Sequence, residues 1–222
     1  RLLEAYVTIY LEEEIRAEAL VRDLGNFARF LEFSASESGK TVNFLKLSQE
    51  IGVSHKTISS YYQILEDCLI AERVEPFTSS RTRRKLVKTQ KYLFYDLGVR
   101  RIAAREDRRL SKTQMGHLFE QFVGLELIRM LRSTQSRDII KFWRDPSGPE
   151  VDWIIDKKDS LVPIEVKWTQ SPGLQDAKHI LLFLSEYPEA KHGFIICQTP
   201  SAVKITDTIT AIPWSDIHRV LA

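Results

Sequence analysis

Three polar side chains near the middle of the second half could do chemistry together. Pro149-Glu150-Val151-Asp152 opens one extended, apolar segment, and Ile164-Glu165-Val166-Lys167 lies on the next. On a strand, residues two apart share a face and stand about 6.6 Å apart along the axis. Glu165 and Lys167 therefore point the same way, and Ile164, Val166 and Trp168 point the other. If the two strands are neighbours, Asp152 meets Glu165 at one end of a sheet. Two converging carboxylates and a carbonyl make a hard oxygen site suited to Mg²⁺. Such an ion polarises a phosphate oxygen and helps to generate hydroxide, while the lysine positions the water or stabilises developing charge. Glu120, four residues after Gly116 on the preceding helical segment, could add a further carboxylate; Glu126 is turned away around the helix and reads as structural. The bland alternative is an ion-pair network pinning the strands. Buried networks of that kind are a poor source of stability, so three polar groups on one sheet face point rather to a site.

The elements that must position these groups follow from periodicity. After Gly116 the pattern is α, β, β, β, α, β. Leu118, Phe119, Phe122, Val123, Leu125 and Ile128 mark a helix to about Leu131. Ile139 to Trp143, Val151 to Ile155 and Leu161 to Trp168 read as strands, Gln175 to Tyr187 as a helix, and Gly193 to Cys197 as a buried strand. A further strand and a terminal helix are expected in the tail. Residues 98–115 are strongly charged and read as a connector.

The first half is organised differently. An amphipathic helical lead-in, with a break at Gly25, is followed by short helices with tight punctuation. Phe44 to Ile51 suits one helix, Gly52 ends it, and Ser54 caps a second running to about Cys68. Extended stretches at Leu69 to Phe77 and Lys91 to Tyr95 flank a basic loop. Helix, turn, helix and hairpin is the plan of a winged helix-turn-helix. In that plan the early residues of the second helix meet base edges, here Ser54, His55, Lys56 and Thr57. In the wing, Arg81, Arg83, Arg84, Lys85, Lys88 and Lys91 are positive with no negative neighbour. Residues 81–109 hold eleven positive charges against three negative ones, a net +8, and the rest of the chain is near −6. Such asymmetry attracts a phosphate backbone and makes binding salt-sensitive. A protein-docking winged helix is the competing reading.

Composition sets the outer bounds. The chain has 222 residues, 43% of them hydrophobic and 28% charged, with a net charge of +2. Those values exclude wholesale disorder and a disulfide-stapled miniprotein, and two distant cysteines, Cys68 and Cys197, suit a reducing, cytoplasmic setting without structural zinc. No apolar run reaches the ~18 residues of a membrane span. Gly39-Lys40-Thr41 mimics the end of a phosphate-binding loop, but Ser34 stands where its first glycine belongs and helix-like residues precede it, so this chain is not expected to bind ATP itself. The histidines show no ligand spacing: His55 could touch phosphate, while His117, His179, His192 and His218 add little. No Gly-x-Ser-x-Gly elbow is present.

Gly116-x-x-x-Glu120, Asp152 and Glu165-x-Lys167, in that order, resemble the PD-(D/E)XK nuclease superfamily. The resemblance extends further, through Tyr6-Val7-x-x-Tyr10-Leu11-Glu12, Gly52-Val53-Ser54-x-x-Thr57, Leu65-Glu66, Lys85-Leu86-Val87-Lys88, Tyr95-Asp96-Leu97-Gly98, Phe142-Trp143-Arg144 and Glu150-Val151-Asp152-Trp153. Together these resemble the C-terminal region, a domain of unknown function, of prokaryotic AAA-type P-loop ATPases, with Trp153 where that family tends to have Phe. The resemblance implies an α/β chain in which residues 1–97 form a helical lead-in and winged helix-turn-helix. A connector at 98–115 and a restriction-endonuclease-like αβββαβ domain at 116–222 follow. It also implies that ATP acts only through an N-terminal ATPase domain lost or cut away here, in keeping with a start at Arg1. The implied partners are DNA, that ATPase domain and a second copy of the chain. On this reading Asp152, Glu165 and Glu120 hold Mg²⁺ and Lys167 supports the attacking water. The alternative is a non-catalytic scaffold that binds a partner protein or DNA without cleavage.

Overall fold

A computed structural model describes residues 23–78, 89–107 and 109–221. Within them the fold is mixed α/β, divided into one unit from residues 23–73 and the described residues of 89–110, and another from residues 74–78 and 111–221.

Short polar caps set the helices of the first unit. Asp23 accepts from the N–H of Asn26 to start α1, Leu24–Ser36, so Gly25 lies in the first helical turn rather than at a break. Asn43 caps α2, Phe44–Ile51, in the same way. Gly52 then ends α2 at φ +82°, a left-handed conformation that costs glycine little. Ser54 accepts from the N–H of Thr57 to open α3, His55–Asp67. Strands β1, Ala71–Val74, and β2, Lys91–Phe94, then pair as a two-stranded sheet. Phe27, Phe30, Ile58, Tyr62 and Leu65 fill the core, with Tyr62 stacked on Tyr92 at 4.0 Å between centroids.

The expected connector begins with a helix, α4, Leu97–Ala103, capped by Asp96. Its charge density hid the helix, because Arg100 is buried: its Nε donates to the carbonyl of Ala35 at 2.8 Å and its guanidinium pairs with Glu106. Val99 and Ala103 join the core beside it.

In the second unit, Ser111 and Gln114 form a capping box that starts α5, Lys112–Ser133, four residues ahead of Gly116. Three antiparallel strands follow: β3, Ile139–Arg144; β4, Glu150–Asp156; and β5, Leu161–Val166. A 3-10 turn at Leu174–Ala177 leads into α6, Lys178–Glu186, the crossover to parallel strand β6, Gly193–Cys197. The tail contributes β7, Val203–Lys204, β8, Ile209–Pro213, and a 3-10 segment at Trp214–Leu221 where a helix was expected. The six-stranded sheet runs β3-β4-β5-β6-β8-β7. Among the described residues, no helix is long and apolar enough to cross a membrane.

Two packing details shape this sheet. Lys141 pairs with Ile154 and Trp143 with Val151, so β4 sets two residues, Asp152 and Trp153, against the single Phe142 of β3. That β-bulge re-aims side chains at the spot where Asp152 sits. Trp153 is wholly buried, donates from Nε1 to the carbonyl of Glu120 at 3.2 Å, and fills the space over Gly124. A Cβ on Gly124 would lie 2.5 Å from Trp153 Cζ2. Gly124→Ala is therefore expected to cost about 1–3 kcal/mol through overpacking. A lowered urea midpoint at unchanged slope would report this, and an unchanged midpoint would mean that the indole shifts freely.

Candidate active site

The site begins with the pairing of β4 and β5. Trp153 lies opposite Ile164 and Ile154 opposite Pro163, and the same antiparallel register continued by one step sets Asp152 across from Glu165. Asp152 Oδ2 accepts from the N–H of Val166 at 2.8 Å, tying the end of β4 to the end of β5. Lys167 leaves the strand, yet its N–H donates to the carbonyl of Ile196 at 2.9 Å, which keeps its side chain on the Glu165 face. Lys167 Nζ then donates to Glu165 Oε2 at 2.7 Å. The expected trio of Asp152, Glu165 and Lys167 is thus brought together.

Glu165 is 1% exposed. Burial alone would raise its pKa, but the nearby His179 imidazole and the charge of Lys167 outweigh it and hold the carboxyl below its usual 4.5. Burial would depress Lys167 in turn, and the charges of Asp152 and Glu165 push it up instead. His179, near the start of α6, stands with Nδ1 3.6 Å from Glu165 Oε1; that carboxylate, opposed by partial burial, raises the imidazole above 6.5. No hydrogen bond within 3.5 Å satisfies Glu165 Oε1 among the described residues. Sequence reasoning passed over His179, since no spacing rule links it to residue 165. Only the crossover that returns α6 against the sheet does so.

An orphaned, buried carboxylate oxygen beside a second carboxylate suits a hard cation that keeps much of its water, so the residues fit Mg²⁺. Among the described residues, no group of three or more His, Cys, Asp or Glu converges as a metal cage. Glu120 lies in the third turn of α5, where its carbonyl holds Trp153. It does not complete a three-residue acidic cluster with Asp152 and Glu165. Glu126 pairs with Arg129 on the helix surface.

On α3, the Ser54 hydroxyl is engaged with both the N–H and the hydroxyl of Thr57, so these two groups hold the helix start. His55 and Lys56 are exposed, the imidazole resting 5.1 Å from the Phe44 ring. Arg81, Arg83, Arg84, Lys85 and Lys88 lie outside the described residues, as does the Tyr6 to Glu12 run. Lys91 is buried in β2. Gly39-Lys40-Thr41 follows a helix, and Lys40 pairs with Glu37 at 3.3 Å.

The depressed carboxyl has a consequence for stability. A group with its folded pKa below the unfolded value of 4.5 stabilises fully above that pH, and the contribution is lost as pH falls through the folded value. The raised His179 acts oppositely: its contribution is complete below 6.5 and disappears as pH rises through its folded pKa. With chelator present, the urea midpoint should therefore fall less steeply for Glu165→Gln than for wild type between about pH 6 and about pH 3. Parallel curves would mean that folding leaves the Glu165 pKa unchanged, and a wild-type curve that falls less steeply than that of Glu165→Gln would mean that the fold raises it.

Comparison with known proteins gives two domain matches and distant relatives. The chain is 20% identical over 217 residues to the uncharacterized proteins Mb2031c of Mycobacterium bovis and Rv2008c of Mycobacterium tuberculosis, covering 96% of this chain and 47% of each relative. It thus spans about half the length of these curated relatives. The crystal structure of protein VC1899 from Vibrio cholerae is 14% identical, with a TM-score of 0.33 over 98% of this chain and 54% of that one, too low a score to carry an argument. Residues 1–110 match a domain of unknown function, DUF8612, and residues 115–217 match another, DUF4143.

Proposed function

We propose that this chain is the nucleic-acid-processing C-terminal portion of a larger AAA-type ATPase, combining a winged helix that binds DNA with a PD-(D/E)XK-like domain that cleaves it. The observation that carries the reading is Glu165: buried, bound on one oxygen by Lys167 and left with the other unsatisfied beside Asp152. The helix, three strands, helix and strand of the second unit follow the element order of that nuclease core. Support for the ATPase setting comes from DUF4143, a domain known from AAA-ATPase-associated proteins, and from relatives about twice as long as this chain.

In this reading Asp152 and Glu165 hold Mg²⁺, which when bound polarises a phosphate oxygen and lowers the pKa of water. Lys167 remains protonated, because two carboxylates stabilise its charge. It therefore acts as a cation that orients the attacking water and offsets charge building on the phosphate, not as a base. His179 holds the free side of the Glu165 carboxylate in place. On α3, exposed Lys56 and His55 contact the phosphate backbone, and the basic residues of 81–88 add to the field.

The close Glu165–Lys167 ion pair at 2.7 Å also suits a second reading, a non-catalytic scaffold that binds a partner protein or DNA without cleavage. Incubation of labelled DNA with Mg²⁺ or Mn²⁺ separates the two. Cleavage by wild type should fall at least about 100-fold in Lys167→Ala, in line with loss of a transition-state contact. Equal cleavage by both proteins would sink the assignment of the centre, and none by wild type would leave the scaffold. Binding in chelator should weaken steeply with salt, and Lys56→Ala should reduce the salt slope by about one. A salt-insensitive affinity would remove DNA as the partner.

A further inference from the structure

Glu165 Oε1 is buried without a hydrogen bond among the described residues, and the ring that faces it is His179. Lys167 occupies the other oxygen at 2.7 Å. The 3.6 Å between Oε1 and His179 Nδ1 is too long for a hydrogen bond, whose usual reach ends at about 3.2 Å. Two donors that share one small divalent ion, each at about 2.1 Å, stand about 3.0 Å apart in an octahedron and about 3.4 Å apart in a tetrahedron. The observed gap is slightly wider than such an edge.

The fold holds the imidazole there. Asp176 accepts from the Gly173 N–H at 2.9 Å and shapes the turn that leads into α6. Ala177, Ile180 and Phe183 are wholly buried and anchor the helix, while 34% of the His179 side chain stays exposed, enough to admit an ion with its water. The Glu150 backbone carbonyl is near enough to favour an N–H on the ring. Histidines that ligate metals commonly have such an acceptor behind them, which fixes the ring and strengthens the other nitrogen as a donor. Among the described residues no three His, Cys, Asp or Glu side chains close a cage, so Asp152 engages the ion through water. The remaining positions fall to water and to a phosphate oxygen, as in an open catalytic site.

We propose that His179 is a direct ligand, with Glu165, of the ion at this centre, and that the mixed nitrogen–oxygen pair selects a divalent transition-metal ion, Mn²⁺ over Mg²⁺. The inference rests on the reading of Asp152 and Glu165 as an ion site and names the class of ion. Mg²⁺ is held by oxygen donors, whereas an imidazole nitrogen favours the first-row transition ions. An arriving ion takes the place of the imidazole proton in balancing the Glu165 charge.

Ion binding to the whole chain without DNA, at about pH 8, tests this apart from cleavage. The probes are Mn²⁺ and Mg²⁺ alone, followed by titration calorimetry and, for Mn²⁺, by electron-spin-echo spectra. Wild type should bind Mn²⁺ at least about 10-fold more tightly than Mg²⁺, with nitrogen modulation of the Mn²⁺ signal. His179→Ala should weaken Mn²⁺ binding roughly 10- to 100-fold, erase the modulation and leave Mg²⁺ affinity near its wild-type value. His179→Gln carries the comparison if the alanine variant does not fold, and the wild-type spectrum needs no variant. Equal affinity of wild type for the two ions, a Mn²⁺ signal free of nitrogen modulation, or modulation that persists in His179→Ala would each overturn the proposal. Mn²⁺ binding that depends on His179, without DNA cleavage, would uphold it and sink the nuclease. Cleavage that is lost in Lys167→Ala, with the Mn²⁺ preference intact in His179→Ala, would sink the proposal alone.

Discussion

The antiparallel register between β4 and β5 is the constraint on which the candidate site depends. With Trp153 opposite Ile164, Asp152 faces Glu165 and its carboxylate can take the N–H of Val166. A slip of one residue would turn every side chain of one strand to the other face. A slip of β5 would carry Glu165 and Lys167 together away from Asp152 and His179, and Ile164 would leave the core where it is fully buried. Apolar burial thus selects the register, and the register assembles the charges.

Those charges are balanced locally. A carboxylate at 1% exposure is costly to ionise unless cations and donors surround it. Lys167 supplies the charge on one oxygen and His179 approaches the other without reaching hydrogen-bond distance. A purely structural ion pair gains by saturating both oxygens. Leaving one unsatisfied is an expense that a binding site, rather than a scaffold, has reason to carry.

Much of this was legible in sequence because it depends on local rules. Gly52 followed by Ser54 marks a helix end and a helix start within three residues, and both caps form there. Alternation in Glu165-Val166-Lys167 puts acid and lysine on one face, as their 2.7 Å contact bears out. The features that escaped depend on partners distant in the chain. The bulge at Asp152-Trp153 exists only relative to Phe142. His179 matters only once α6 has folded back over the sheet, and Arg100 reads as solvent-facing until Ala35 and Glu106 accept its donors. Trp168 fits an apolar face by alternation, yet the strand ends at Val166 and the indole comes out against α5.

The chain path between the two units has a genetic implication. Residues 74–78 group with the second unit, and the described chain resumes in the first unit at residue 89. Phe77 in that excursion donates its N–H to Phe142 and packs its ring between Phe183 and Tyr187. No single crossover in the gene can therefore separate the units cleanly. A recombinant that joined the second unit to a foreign partner at residue 111 would leave an aromatic vacancy in its core. Any division of the chain that keeps this core whole must therefore keep Phe77 with the ring cluster it fills.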